Sequence, residues 1–129
     1  MSAIACIVEK LKKYPELSFN LEAKRIAVNP ADADGFAVWL SERDDGYTVG
    51  FDGWHEEFEN EEAALNCFAF GLSGKCRLKV DYRGSCPYRW SVEGAVEEGW
   101  VTDSTTGLLI FPFWRRRRTV YRQNRVLVD

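Results

Sequence analysis

Apolar residues along the chain follow two spacings, and the helical one predicts two helices. Helical spacing over 4–14 predicts an amphipathic helix that ends at Tyr14, because Pro15 disfavours the helical conformation of the residue before it. A largely apolar stretch at 63–72 predicts a second, more buried helix. Asn60 and the two glutamates after it predict the start of this helix, since Asn caps it and carboxylates favour the positive end of its dipole.

Elsewhere apolar and polar residues alternate, which is the two-residue period of a strand. The stretch 19–28 predicts one strand with a bulge. Three pairs of alternating stretches flank turns and predict hairpins: 36–40 with 47–51, 78–82 with 88–92, and 100–102 with 108–114 across a turn at 103–107. The last stretch, 120–128, fits either a helix or a strand, and its β-branched residues favour the strand.

These elements predict an α+β fold with the order α-β-β-β-α-β-β-β-β. About seven strands form a mainly antiparallel sheet, and the two helices pack on one of its faces. A chain of 129 residues, 46% hydrophobic and 29% charged, is typical of one globular domain, here 1–129. No internal repeat or linker divides the sequence.

The first residues and the cysteines indicate the compartment. No apolar run approaches the roughly 20 residues that span a bilayer, and the apolar start lacks the basic leader of a signal peptide. Four cysteines lie far apart without a C-x-x-C pair, so we expect reduced thiols. The sequence therefore predicts a cytoplasmic protein without a membrane span.

Charge is segregated along the chain more sharply than its net value of -3 suggests. Nine carboxylates lie within 42–62, against one basic residue, Arg43, and we call this stretch the acidic segment. The last eighteen residues carry six arginines against one carboxylate, Asp129. Opposite charges this concentrated must face each other, a second copy of the chain, or a partner.

Four consecutive arginines, 115–118, need not form one patch. In a strand, alternate side chains point to opposite faces, so one pair would head toward the apolar face unless it met carboxylates. We expect the run to cover the end of the sheet, partly paired with the acidic segment. The alternatives are a surface for an anionic partner and, disfavoured because the segment lacks a long amphipathic helix, contact with a membrane. A patch that held four phosphates would lose affinity with salt at a log–log slope of about -3.6. The acidic pI of 5.3 and the lack of a nucleic-acid motif argue against specific nucleic-acid binding.

Known catalytic and metal motifs fail on inspection. His55 starts an H-E-x-x-E stretch, and a zinc helix needs a second histidine that the chain does not contain. The glycines at 71 and 74 match neither a phosphate-binding loop nor a nucleophile elbow, and they predict a helix end. Cys86 precedes a proline in a turn, with no partner histidine. The sequence predicts no catalytic residue, no metal and no cofactor.

Three functional hypotheses stay open. The first is a small cytoplasmic interaction or accessory domain that binds a protein, a second copy of itself or an anionic partner. Its basic C-terminal segment would bind through Arg115, Arg116, Arg117, Arg118 and Arg122. The second is a hydrophobic-ligand binder whose cavity is lined by Trp39, Trp54, Trp90 and Trp100. The third is an enzyme with a carboxylate- or cysteine-based site.

Overall fold

The computed structural model describes residues 2–126 and contains two helices and nine strands in that range. In chain order the elements are α1 (Ala3–Leu11), β1 (Phe19–Glu22), β2 (Arg25–Val28), β3 (Val38–Arg43), β4 (Gly46–Phe51), β5 (Trp54–Phe58), α2 (Glu61–Leu72), β6 (Cys76–Arg83), β7 (Cys86–Val96), β8 (Gly99–Gly107) and β9 (Arg117–Arg122).

All strand pairs are antiparallel, and the strands form two sheets. The first sheet has the order β1-β2-β3-β4-β5 and the second has the order β8-β7-β6-β9. Helix α2 packs against β3 and β4, and α1 lies against α2. The predicted α+β class is confirmed, as is the order of a helix, a group of strands, a second helix and four further strands.

Two strands were not predicted separately, and both close short hairpins. The stretch 19–28 turns at its two central residues, so that β1 pairs with β2 from Phe19 opposite Val28 to Glu22 opposite Arg25. Strand β5 pairs with β4 across an Asp52–Gly53 turn, a dipeptide that favours tight hairpins. Three polar residues in Trp54–Phe58 weaken its apolar alternation, because this strand lies at the edge of its sheet.

The predicted hairpin at 100–114 is wrong. The stretch 103–107, read as a turn, belongs to β8, which pairs with β7 as far as Gly107 opposite Arg89. Hydroxyl side chains give this strand its contacts: Ser104 Oγ accepts a hydrogen bond from Trp54 Nε1 at 3.2 Å, and Thr105 Oγ1 donates one to Ser91 Oγ at 3.1 Å. The stretch 108–114 contains no strand.

The helix predictions agree with the structure to within a turn. Asn60 Oδ1 accepts a hydrogen bond from Ala63 N at 2.9 Å, which confirms the predicted cap of α2. Helix α1 ends at Leu11 rather than at Tyr14. The residues between Leu11 and Pro15 form turns instead, with Tyr14 N donating to Leu11 O at 2.9 Å.

The core lies between α2, the first sheet and the inner face of the second sheet. Its largest fully buried side chains include Phe36, Phe51, Ile26, Leu40 and Leu78. Burying one such side chain contributes roughly 1.5–3 kcal/mol. The Trp54 ring stacks on Phe51 at 4.6 Å and reaches Ser104 of the second sheet, so one side chain contacts both sheets.

The end of the described chain is fastened back onto the core. The strand predicted for 120–128 overlaps β9 only at 120–122. Strand β9 begins earlier, at Arg117, and pairs with β6, whereas 123–126 contain no strand and 127–128 lie outside the described residues. Beyond β9, the buried Asn124 accepts a hydrogen bond from Phe36 N at 3.0 Å and donates one to Gly71 O at 2.9 Å. These two bonds join the strand end to α2 and to the segment before β3.

Candidate functional site

An exposed apolar loop separates β8 from the arginine run. We call residues 108–114 the apolar loop. Its exposed fractions are 98% at Leu109, 90% at Ile110, 70% at Phe113 and 72% at Trp114. Single exposed apolar residues are ordinary on protein surfaces, whereas a contiguous group marks a contact surface.

The apolar loop is held in place from both ends and from its middle. Leu108 N donates to Tyr88 O at 2.8 Å at the start of the loop, and Gly84 N donates to Arg116 O at 2.8 Å just beyond its end. Between them the Phe111 ring stacks on the Tyr88 ring at 4.4 Å, with 19° between their planes. The exposure of the neighbouring apolar side chains is therefore a property of an anchored loop.

Arginines surround the point at which the apolar loop is anchored. We call the following six residues the arginine cluster: Arg83, Arg89, Arg115, Arg116, Arg117 and Arg118. The guanidinium carbons of Arg83 and Arg89 lie 5.7 and 5.6 Å from the centre of the Tyr88 ring, within cation–π range. Arg83 Nη1 also donates to Arg115 O at 3.4 Å.

One fully buried carboxylate, Asp81, organises part of the arginine cluster. Its oxygens accept hydrogen bonds from Arg89 Nε at 2.8 Å and from Thr119 Oγ1 at 2.7 Å, and Arg117 Nη2 lies 3.8 Å away. Burial by itself would raise the pKa of Asp81. The hydrogen bonds from Thr119 and Arg89 and the nearby positive charges outweigh burial, so the pKa of Asp81 lies below its usual range.

The four consecutive arginines divide as strand alternation requires. Arg117 points to the face of Asp81, whereas Arg118 lies over the Tyr82 ring on the opposite face, at 4.7 Å. Arg115 and Arg116 precede β9, and both are exposed. Within residues 2–126, no ion pair joins arginines 115–118 to the acidic segment, so the pairing expected between them is wrong. The role of Asp81 was not predicted from the sequence, because Asp81 alternates with apolar residues as a solvent-facing strand residue does.

The guanidinium of Arg122 is hydrogen-bonded to other parts of the chain instead of facing a partner surface. Its Nη1 donates to Ala33 O at 3.0 Å, and its Nη2 lies 3.5 Å from the Tyr82 hydroxyl. The Tyr82 hydrogen bond is the main cause that raises the pKa of Arg122, and the charges of Asp52 and Asp34 add to it. Arg122 thus helps to fasten β9 and is not part of the exposed arginine cluster.

The acidic segment stays exposed and pairs locally. Arg43 Nη1 lies 3.2 Å from Asp45 and 3.9 Å from Glu57, and Lys24 Nζ lies 3.8 Å from Asp44. Glu42 differs from these carboxylates. Its Oε1 accepts a hydrogen bond from Ile4 N at 3.3 Å, at the positive end of α1.

The four tryptophans proposed as pocket residues have different surroundings, and none of them lines either of the two cavities described below. Trp54 is buried and hydrogen-bonded, and the rings of Trp39 and Trp90 cover Gly50 and Gly53. Trp100 lies on the outer face of the second sheet, with the guanidinium of Arg77 4.5 Å from its ring.

Two cavities formed by residues within 2–126 lie away from these tryptophans. One, of about 370 Å³, lies between α1 and α2 and is lined mainly by apolar side chains such as Ile7, Leu11 and Phe68. The other, of about 600 Å³, is lined by Asp32, Asp34 and the residues that follow β9.

The residues considered for catalysis are dispersed. Burial raises the pKa of the Cys67 and Cys76 thiols to about 12, so both stay protonated at neutral pH. The half-buried Cys86 has its Sγ 3.7 Å from Pro87 O. Burial raises the pKa of Asp52, although the hydrogen bond that Ala37 N donates to its carboxylate acts in the opposite direction. The same hydrogen bond holds this carboxylate in a contact at the turn.

Neither a metal site nor a membrane-crossing helix stands out in the part of the chain that the structure describes. Residues 2–126 bring together no group of three or more cysteine, histidine or acidic side chains that could hold a metal ion. Over the same residues, neither helix combines the length and the apolar character that crossing a bilayer requires.

Comparison of the chain with protein-family models, with curated proteins and with solved structures finds no match. The function is therefore inferred from the geometry of the apolar loop and the arginine cluster. Sequence reasoning found the arginines but missed the apolar loop, because alternating apolar residues at 108–114 predicted a strand. Its exposure follows only from where β8 ends.

Proposed function

We propose that the chain is a small cytoplasmic binding domain that recognises an anionic partner through the apolar loop and the arginine cluster. The observation that carries this proposal is that the exposed apolar side chains of the loop are followed directly by two exposed arginines, Arg115 and Arg116, on a loop anchored beside Arg83 and Arg89. Such a surface has an apolar centre, which loses its water when a partner binds, and a charged rim, as binding interfaces do.

Two arginines of the cluster are available to a partner of the apolar loop. Arg117 and Arg89 are committed to Asp81, and Arg118 lies over Tyr82 on the opposite face, whereas Arg115 and Arg116 have exposed side chains next to the loop.

The proposal can be tested with soluble and surface-bound anions. Binding of the full chain is measured by fluorescence anisotropy to an acidic peptide and to an oligonucleotide, and by co-sedimentation with anionic lipid vesicles. At least one probe should bind, and the variant Arg115→Glu with Arg116→Glu should weaken that binding. Both side chains are exposed and lack ion pairs among the described residues, so the variant should fold normally.

A matched control distinguishes the effect of the site on binding from the effect of net charge. Lys12→Glu with Lys13→Glu changes the net charge by the same amount on two exposed residues just after α1. This control should retain the binding of the unmodified chain. An equal loss in both variants, or no binding to any probe, would contradict the proposed function.

A further inference from the structure

We infer that the anionic partner is the surface of a lipid bilayer, with the apolar loop inserted between headgroups and Arg115 and Arg116 on their phosphates. This inference rests on the proposed function, which by itself requires only an anionic partner. Cytoplasmic leaflets carry anionic lipids, which attract basic segments of proteins that lie at the membrane surface.

The shape of the apolar loop fits insertion. Leu109 and Ile110 are 98% and 90% exposed, so they project beyond the rest of the chain instead of lining a groove. Close behind them, Phe113 and Trp114 meet edge to face at 5.4 Å. Aromatic rings favour the interface between headgroups and acyl chains, and apolar segments at that interface enter by about 5–10 Å. A projecting apolar tip fits a fluid interface without needing a matched pocket.

The charges next to the apolar loop fit the headgroup layer. Arg115 and Arg116 follow Trp114 directly, which places two exposed guanidinium groups within a few residues of the inserted rings. Each arginine near an anionic bilayer strengthens binding by roughly fivefold, and this gain is lost as salt screens the charge.

A second copy of the chain fits this surface less well. The acidic segment of a second copy would satisfy the arginine cluster by charge. However, the acidic segment contains none of the exposed large apolar side chains of the described chain. The apolar loop would therefore stay in water in such a dimer, whereas a bilayer covers the loop and neutralises the arginines together.

The test uses the full chain and vesicles of phosphatidylcholine with and without phosphatidylserine. Binding is measured by co-sedimentation over a range of salt concentrations. We expect binding to the vesicles that contain phosphatidylserine, with weaker binding at higher salt and to phosphatidylcholine alone. Trp114 reports insertion: its emission should shift to the blue on binding, and Trp114→Phe should abolish most of that shift, because the other tryptophans are buried or half-buried.

Two variants separate insertion from charge. Leu109→Thr with Ile110→Thr should weaken binding about tenfold or more, since each apolar carbon removed from the membrane interior lowers affinity. Its control is Leu21→Thr with Val101→Thr, which changes two apolar side chains, 54% and 55% exposed, outside the apolar loop. Arg115→Glu with Arg116→Glu should weaken binding by about thirtyfold or more. Its control is Lys12→Glu with Lys13→Glu.

The outcomes distinguish this inference from the proposed function. Binding to the acidic peptide that depends on the arginines, without binding to vesicles, would overturn the inference and support the proposed function through a protein partner. Vesicle binding that is unchanged by Leu109→Thr with Ile110→Thr would also overturn the inference, because it would show adsorption by charge alone. Binding to none of the probes would overturn both.

Discussion

The two sheets bury similar apolar faces but place their charges in opposite ways. In the five-stranded sheet, most carboxylates of the acidic segment remain in water, and their ion pairs are exposed. In the four-stranded sheet, Asp81 and Glu93 are buried, and each is paired with an arginine on a neighbouring strand. These two buried carboxylates fix the positions of the arginines, although the acidic segment contains far more carboxylates.

This difference has an energetic side. Exposed ion pairs contribute roughly 0–1 kcal/mol each, because water and salt screen them. Removing one partner of a buried pair costs about 3–5 kcal/mol, because a charge is left without compensation. The stability of the protein should therefore depend on the charges of the second sheet and hardly on those of the first.

The largest expected effect is that of Asp81→Asn. We expect the free energy of unfolding to fall by about 3 kcal/mol, the lower end for a broken buried pair, because Arg89 and Arg117 keep partial access to water. Their side chains are 39% and 51% exposed. Urea denaturation measures the change. The matched substitution Asp45→Asn should cost less than about 1 kcal/mol, and equal losses in the two variants would abolish the contrast between the sheets.

A somewhat smaller loss is expected where the second sheet is fastened to the helix layer. Asn124→Ala leaves Phe36 N and Gly71 O without their partner in a buried place, so we expect a loss of about 2 kcal/mol by urea denaturation. Asn29→Ala is the control, since Asn29 bonds Ser18 at the surface. A loss no larger than that of the control would mean that the tail is not fastened through Asn124.

The contrast also predicts a dependence on pH. Because the pKa of Asp81 is lowered in the folded protein, its stabilisation is present above the unfolded value of about 3.9 and is lost as pH falls through the folded value. The unmodified chain and Asp81→Asn should thus differ most near neutral pH and converge in acid. Urea midpoints measured from neutral pH down into acid well below the unfolded pKa would show this convergence, and a gap that stays constant over that whole range would refute the ionic role of Asp81.

The smallest effect is expected from the exposed pairs of the first sheet. Arg43→Gln removes contacts to Asp45 and Glu57, and the free energy of unfolding should change by less than about 1 kcal/mol. The change should shrink further at high salt. A loss above about 2 kcal/mol would show that this surface is as organised as that of Asp81, in conflict with its exposure.

Locally encoded features were predictable from the sequence. The Asn60 cap and the hairpin of β3 and β4 depend on a few adjacent residues, and both are confirmed. Features set by distant contacts were not. Strand β5 has a polar sequence and is recognised only through its pairing with β4 and its contacts with β8.

The candidate site was half predictable for the same reason. The arginine run is visible in the sequence, but the partner of Arg117 is Asp81, thirty-six positions away. The apolar loop has the alternation of a buried strand, and apolar residues are expected inside unless the fold shows otherwise. Its exposure depends on β8 ending at Gly107 and on the Phe111 stack with Tyr88.

The indole of Trp54 links the two sheets, and this link has a consequence for fragments of the chain. Its ring stacks on Phe51 of the first sheet while its nitrogen donates to Ser104 of the second. Gly74, between α2 and β6, is exposed, and no atom lies within 4 Å of the position that a Cβ would occupy there, so a protease could cut at this residue. We expect the two pieces of a chain nicked at Gly74 to stay together through gel filtration, since each alone would leave half of a shared interior uncovered.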